Sequence, residues 1–201
     1  MEREGIFIVI EGSDGSGKAT QLKLVKERLE AAGHAVETFD FPQYDQPSSY
    51  FVRRYLEGNY GKADDVGPYT SSLFYALDRF EAAPKIRQAL QQGKIVLSNR
   101  FTGSSMAHQG TKMSNAEQRR GFFIWLDNLE FEMLRIPRPN ISFVLRVPAD
   151  ISQALMSTRE NHDIHESNPS HLERTIAVYD DMVQLFPKDF QRIDCIRGGR
   201  L

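Results

Sequence analysis

Cysteine is nearly absent from this chain: Cys195 is the single one among 201 residues. No internal disulfide can form, which fits a reducing compartment and excludes a disulfide-stapled secreted domain. An excess of one charge is also missing. Twenty-five Lys and Arg face 27 Asp and Glu, giving a net charge of −2, so no global basic field invites duplex nucleic acid. Long apolar runs are lacking. The opening MEREGIFIVIEG holds one far too short to span a bilayer, and it leads into a Gly-rich turn, not a cleavage site. A cytosolic protein without membrane or nucleic-acid partners is expected. Repeats, low-complexity tracts and long linkers are absent too, so one domain over residues 1–201 is expected. What is present suffices for a core: 40% of residues are hydrophobic and 26% are charged.

The pattern alternates between strand and helix. Ile6–Ile10 is a continuous β-branched run, as in a strand buried on both faces. Lys18–Ala32 has Leu22, Val25 and Leu29 on one helical face and Gly33 as its stop. Ala35–Phe39 predicts a second strand, and Ser48–Glu57 a short helix closed by Gly58. Thr70–Gln92 predicts a long helix that Pro84 kinks or divides. Ile95–Ser98 follows as a strand. Asn115–Leu134 reads as one helix with an Asn cap. Ile141–Val147 is a strand, Asp150–Thr158 a helix, Glu160–Pro169 a polar loop, Ser170–Phe186 a helix and Phe190–Cys195 a last strand. This order implies a five-stranded parallel sheet with helices on both faces.

The first strand runs into Gly12-Ser13-Asp14-Gly15-Ser16-Gly17-Lys18. The spacing G-x-x-x-x-G-K between a buried strand and a helix is that of a phosphate-binding loop. Glycines let backbone N–H groups curl around phosphate oxygens, the helix start adds partial positive charge, and Lys18 supplies a mobile cation. A plain Gly-rich turn would not carry strand, loop, lysine and helix in register. Ala19 breaks the pattern, because a Ser or Thr hydroxyl at this place normally ligates Mg²⁺. Thr20 lies about 100° further around the helix and is no direct replacement. Mg²⁺ keeps several waters and leans on substrate phosphates, so a water can fill the gap.

Other residues invite a nucleotide. Tyr75 and Arg79 are four apart and share a helical face, suiting a planar base that one stacks on and the other hydrogen-bonds; Tyr75 reads equally as a core aromatic. Asp78 reads as an ion-pair partner. Arg100 follows a strand end, where open α/β sheets bind ligands, and suits a bidentate phosphate clamp. Ser104 and Ser105 read either as turn residues or as hydroxyls for a base edge. Asp14, a carboxylate inside an anion-binding loop, needs a donor partner.

Four features together carry a resemblance: the loop GSDGSGKATQ, the pair Phe41-Pro42 after the second strand, LFYALDRFE at 73–81, and SNRFTGSSMAHQG at 98–110. With DIHE at 163–166 they make the chain resemble the thymidylate kinases, P-loop enzymes that phosphorylate dTMP to dTDP with ATP and Mg²⁺. The resemblance implies an ATP site at Gly12, Ser13, Asp14, Gly15, Ser16, Gly17, Lys18, Ala19 and Thr20. It implies an acceptor site in which Asp14 meets the 3′-hydroxyl, Tyr75 stacks on thymine, Arg79 bonds its O4 and Arg100 holds the phosphate. Phe41, Pro42, Ser104, Ser105, His108 and Gln109 complete that site. His108 stands where the family often has an aromatic residue near C2′, which leaves the choice between ribose and deoxyribose open.

Two departures fall on the metal side. The family has an Asp-Arg-aromatic triplet where this chain reads Asn99-Arg100-Phe101, so Asn99 brings no charge to Mg²⁺. With Ala19, this implies either an altered magnesium arrangement, held by ATP phosphates and water with Asn99 as a possible protein group, or lost catalysis. Relatives often place an Arg near position 43 or 44; here Arg53 or Arg54 is the substitute, unless both are surface charges. Some relatives carry an Arg in the phosphate loop. This chain has Gly15 and Ser16 there, so the resemblance assigns the transferring charge to Arg159, in a lid at about 157–168 beside Glu166. His162, Asp163, His165 and His171 fit no standard zinc spacing. Relatives continue past the last strand with a loop and helix that help hold adenine; RIDCIRGGRL implies a looser hold. A homodimer is implied, with Phe122, Phe123, Trp125 and Leu129 as either its contact or ordinary core. The rival readings are a kinase for another nucleotide or deoxynucleoside, and a weakened nucleotide-binding protein.

Overall fold

A computed structural model describes residues 4–156 and 169–196. Five parallel strands form one sheet in the order β2-β3-β1-β4-β5: β1 Ile6–Gly12, β2 Val36–Asp40, β3 Ile95–Asn99, β4 Ile141–Arg146 and β5 Phe190–Asp194. The expected five-stranded parallel α/β sheet is what forms. β1 pairs with both β3 and β4, so it is central. That position explains its unbroken apolar run, with Phe7, Val9 and Ile10 all buried.

The helices follow the strands in turn. They are α1 Lys18–Ala31, a 3₁₀ turn at Pro47–Ser49 leading into α2 Tyr50–Leu56, α3 Ala63–Val66, α4 Pro68–Gln91, α5 Thr102–Gly110, α6 Ala116–Asp127, a π-helical segment Asn128–Met133, α7 Ala149–Met156 and α8 Pro169–Leu185. Among the described residues three apolar clusters form, the smallest of them Met156, Leu172 and Ile176, and the other two fill the interior. One joins Phe7, Val9 and Val96 to Ile86, Phe41 and Phe101. The other joins Val144 and Phe190 to Phe122, Phe123, Val178 and Met182.

Several expectations are corrected. α4 starts at Pro68, where a proline at the first helical position costs no hydrogen bond. It then runs through Pro84 undivided. Pro84 lies on the exposed face, where the carbonyl it leaves unpaired meets water. The predicted helix 48–57 splits into the 3₁₀ turn and α2. Asn115 does cap α6, accepting from the Gln118 amide at 2.9 Å. The single helix expected over 115–134 nonetheless widens to π geometry at Asn128. α5 went unread because Thr102, Gly103, Ser104 and Ser105 look like turn residues. They are small for another reason: a Cβ on Gly103 would stand 2.8 Å from both Glu11 Oε1 and the Phe190 ring, so this helix presses directly on the sheet.

Phe122 and Phe123 are fully buried and belong to the core, not to a contact between copies; Trp125 and Leu129 are half-buried beside them. The exposed apolar stripe lies on α4 instead, at Leu73, Leu77 and Phe80, each 40–45% exposed. Among the described residues, no helix is long and apolar enough to cross a membrane.

Candidate active site

β1 delivers its last residue, Gly12, to the carboxyl edge of the sheet, and α1 begins at Lys18 with the loop between them. Gly17 adopts a left-handed conformation, φ 83°, as the residue before the helix. Gly15 is also left-handed, φ 75°, and a Cβ there would come 2.4 Å from the Ser152 carbonyl of α7. The loop is therefore packed against α7 at Gly15, and that contact leaves no room for a side chain there. Lys18 is buried and donates to the Ser13 carbonyl at 2.8 Å. The hydroxyls of Ser13 and Ser16 are buried with no hydrogen-bond partner among the described residues. Ala19 and Thr20 are exposed on the first turn.

β3 ends at Asn99, and the next residue, Arg100, has φ 63°. A left-handed arginine is a strained backbone, of order 1–3 kcal/mol, of the kind that persists where surroundings over-determine it. Here the Arg100 amide donates to the Ile10 carbonyl at 3.0 Å, and the side chain is tied three ways. Its Nη2 pairs with Asp14 Oδ1, and its Nη1 reaches Ser104 Oγ at 3.2 Å and His108 Nε2 at 3.3 Å. The donor that Asp14 needed is thus Arg100. Burial pushes the Asp14 carboxyl up, but Arg100, His108 and Lys18 outweigh it and hold it well below the usual carboxylate range. Arg100 stays cationic: burial opposes its charge, and Asp14 more than offsets that.

Arg79 is 2% exposed and Glu130 is fully buried. The Arg79 Nε and Nη2 each donate to a different Glu130 oxygen at 2.6 Å, and Nη2 also donates to Ser105 Oγ at 2.9 Å. Thr102 adds a hydroxyl to Glu130 at 2.7 Å. The guanidinium is held by one edge, and its Nη1 is the corner outside that fork. Glu130 comes from the π-helical segment, so the widened turn is what swings this carboxylate inward. Nothing in the sequence around Leu129-Glu130-Phe131 signalled it.

Glu11 was likewise missed. It is fully buried and accepts from the Phe101 amide (2.8 Å), the Ser104 amide (3.0 Å), Ser104 Oγ (2.6 Å) and Tyr179 Oη (3.0 Å). Burial drives its pKa up, with Ser104, Arg100, Tyr179 and Phe101 opposing; burial and Glu11 drive Tyr179 well above the ordinary tyrosine range. Ser104 and Ser105 are accordingly not turn residues. Ser104 locks the start of α5 to β1, and Ser105 braces Arg79.

These elements enclose a cavity of about 300 Å³ at the carboxyl ends of β1, β2 and β3. Asp14, Phe41, Pro42, Tyr75, Arg79, Arg100, Ser104, Ser105, His108 and Gln109 all line it, brought together from four separate stretches of chain. Asp40, Tyr44, Leu56, Asn99 and Phe101 line it too and were not assigned to the acceptor. The Tyr75 ring stands edge-on to Tyr55 at 6.4 Å, half-buried at the wall. Gln109 accepts from Ser71 at 2.8 Å. Asp78 forms no ion pair among the described residues. It is buried and accepts from the Gln43 amide at 2.8 Å and from Ser48 Oγ at 2.5 Å, fastening the segment after Phe41-Pro42 onto α4. The Arg53 Nη1 donates to the Tyr44 and Gln46 carbonyls at 2.7 and 3.1 Å, and neither Arg53 nor Arg54 lines the cavity.

At the metal-side edge, Asn99 Nδ2 donates to Asp40 Oδ1 at 2.9 Å. Asn99 Oδ1 is buried without a partner among the described residues. His171 lies near the site, its ring 5.8 Å from that of His108. Arg159, Glu166, His162, Asp163, His165 and the expected lid at 157–168 lie outside the described residues, as does the end of the tail from 197 on.

A family model for thymidylate kinase matches residues 10–197. A thymidylate kinase of Bifidobacterium longum is 32% identical over 195 residues, covering 94% of this chain and 89% of that protein. The thymidylate kinase of Homo sapiens is 27% identical over 196 residues, covering 98% and 85%. That of Mycobacterium tuberculosis is 28% identical over 186 residues, covering 88% and 85%.

Proposed function

The chain belongs to the thymidylate kinase family, and from that premise we propose how its residues share the work of moving a phosphoryl group from ATP to dTMP. The reaction gives dTDP and ADP. One observation carries the assignment: every residue that the acceptor motifs single out lines one cavity, and that cavity shares Asp14 with the phosphate loop.

In this reading thymine enters between Phe41-Pro42 and Tyr75, and the Arg79 Nη1 donates to its O4. Glu130 and Ser105 stop that guanidinium from rotating, so little ordering is left to do on binding. Arg100 receives the dTMP phosphate while Asp14 holds it in place and accepts from the sugar 3′-hydroxyl. Lys18 and the loop amides take the β- and γ-phosphates of ATP. Arg159, assigned from the sequence alone, neutralises the group in flight. Phosphoryl transfer depends chiefly on such positioning and charge neutralisation, so a missing base is no obstacle. Magnesium, when bound with ATP, supplies charge neutralisation between the β- and γ-phosphates. The oxygen groups at the β2–β3 edge, Asp40 and the unpartnered Asn99 Oδ1, are of the hard type that suits it, whereas Ala19 contributes nothing. The setting is the cytoplasm, as one unit over residues 1–201. The exposed Leu73, Leu77 and Phe80 stripe supports a homodimer formed through α4, which light scattering on Leu77→Asp would reduce to monomer.

The test is ADP release from ATP and magnesium with dTMP, dUMP, dCMP, dGMP and UMP offered separately. Turnover highest with dTMP is the expected result, and the dUMP-to-UMP ratio reads what His108 does for sugar choice. Preference for another acceptor overturns the substrate. Binding of dTMP without turnover favours the weakened, nucleotide-binding reading.

A further inference from the structure

Asn99 and Asp40 end neighbouring strands, and the register pairs them directly, Asp40 with Asn99. Adjacent strands are about 4.8 Å apart, so a carboxylate missing from the end of β3 is present one strand over. The amide orientation follows from the contact. With Nδ2 against Asp40 Oδ1 at 2.9 Å, the bond is an amide donating to a carboxylate; the flipped amide would set oxygen against oxygen. Asn99 Oδ1 then points away, buried and unpartnered among the described residues.

Asp40 is exposed along the cavity edge, and among the described residues it forms no ion pair. It is nonetheless not isolated. The protein wall beside it pushes its carboxyl up, while Asn99, Arg100 and Lys18 favour its charge. Arg100 and Lys18 are the two cations assigned to the phosphates, one to each nucleotide. Asp40 also lines the same cavity as Arg100 and as Asp14 of the phosphate loop, so it stands on the side where the two sets of phosphates are proposed to meet. Left alone among those phosphates, its negative charge is unfavourable; facing a divalent cation, it is favourable.

We propose that Asp40 supplies the carboxylate on the cation side of MgATP, in place of the aspartate that Asn99 has replaced, and that Asn99 is a positioning residue that orients it. This rests on the phosphoryl-transfer reading above. It assigns the charge to Asp40 and leaves the metal's own ligands to phosphate and water.

The sign of the effect makes it testable without turnover. Affinity for the imido analogue of ATP is measured on the full chain by calorimetry, once with excess Mg²⁺ and once with EDTA. In the wild type Mg²⁺ strengthens binding. In Asp40→Asn the Mg²⁺-bound analogue should bind about tenfold more weakly, while the metal-free analogue binds as well or better, since a negative charge has gone. The double variant Asp40→Asn, Asn99→Asp should regain most of the metal enhancement. If Asp40→Asn weakens both forms equally, Asp40 is only structural; if the ratio does not move, it faces no cation. A double variant as poor as Asp40→Asn also overturns the proposal. No acceptor is present in these titrations, so failure of the dTMP assignment would leave their result untouched.

Discussion

In the acceptor cavity each buried charge meets a partner from another element, whereas in the phosphate loop and at the end of β3 three buried side-chain oxygens meet none among the described residues. Arg79 of α4 is gripped by Glu130 of the π segment, Arg100 by Asp14, and Glu11 of β1 by α5 and α8. Across the edge of the sheet, Ser13 Oγ, Ser16 Oγ and Asn99 Oδ1 are buried without partners among the described residues. A buried polar group left unsatisfied costs about 1–3 kcal/mol, so these three oxygens are sites that a bound group would relieve, whereas the hydrogen-bond networks around Arg79 and Glu11 are already complete. On the proposed function, the acceptor wall is pre-organised by the protein and the phosphate side is completed by what it binds.

The largest effect should come from breaking the phosphate side alone. Lys18→Met is expected to lower kcat by about 10²–10³-fold, as for loss of one charge-stabilising donor, with dTMP affinity by calorimetry unchanged. A matching loss of dTMP affinity would mean that the two regions are one. Next comes the wired wall. Glu130→Gln should raise the KM for dTMP about tenfold, the cost of one weakened orienting contact of roughly 1.4 kcal/mol, with kcat within a few-fold. Glu130→Ala leaves a buried guanidinium uncompensated and should cost about 3–5 kcal/mol in denaturant unfolding. Gly15→Ala is smaller. It forces a Cβ at φ 75° against the Ser152 carbonyl, so the KM for ATP should rise with about 1–3 kcal/mol of strain, and dTMP binding should not change.

The smallest effect is a pH signature. The Asp14 pKa is lowered by folding. A lowered carboxylate pKa contributes stability that is fully present above the unfolded value, near 3.9, and is lost as pH falls through the folded one. The gap in melting temperature between wild type and Asp14→Asn should therefore stay flat from about pH 8 to 5 and narrow below about pH 4. A gap that narrows around neutrality instead would point to His108, not Asp14, as the titrating partner.

Much of this was legible in the chain. The phosphate loop could be read because backbone geometry ties residue type to position: glycines where φ is positive, lysine at the helix start. Tyr75, Arg79 and Arg100 could be read because aromatic rings and guanidiniums at helical spacing or strand ends are unusual without a ligand. Glu11 could not. One glutamate at the end of an apolar run carries no signal, and its four donors come from residues 101, 104 and 179. Glu130 was hidden twice, once in the polar-apolar mix of a helix and again by the π turn that changes its direction. Asp78 looked like an ion-pair partner because charge is visible in sequence and backbone amides are not.

By itself the sequence determined the alternation of strand and helix, the parallel sheet and the glycine and lysine spacing of the phosphate loop. These follow from local periodicity and from backbone conformations that only particular residues tolerate, whereas the acceptor residues were proposed from the resemblance that the ordered motifs carry. Tertiary structure alone decided which carboxylate faces which cation. Asp14 is set on Arg100, Glu130 on Arg79 and Asp40 beside Asn99 across separations of 86, 51 and 59 residues. Such pairings depend on strand order and on a single turn of π-helix, and electrostatic contact falls off within a few ångströms, so no spacing along the chain could have revealed them.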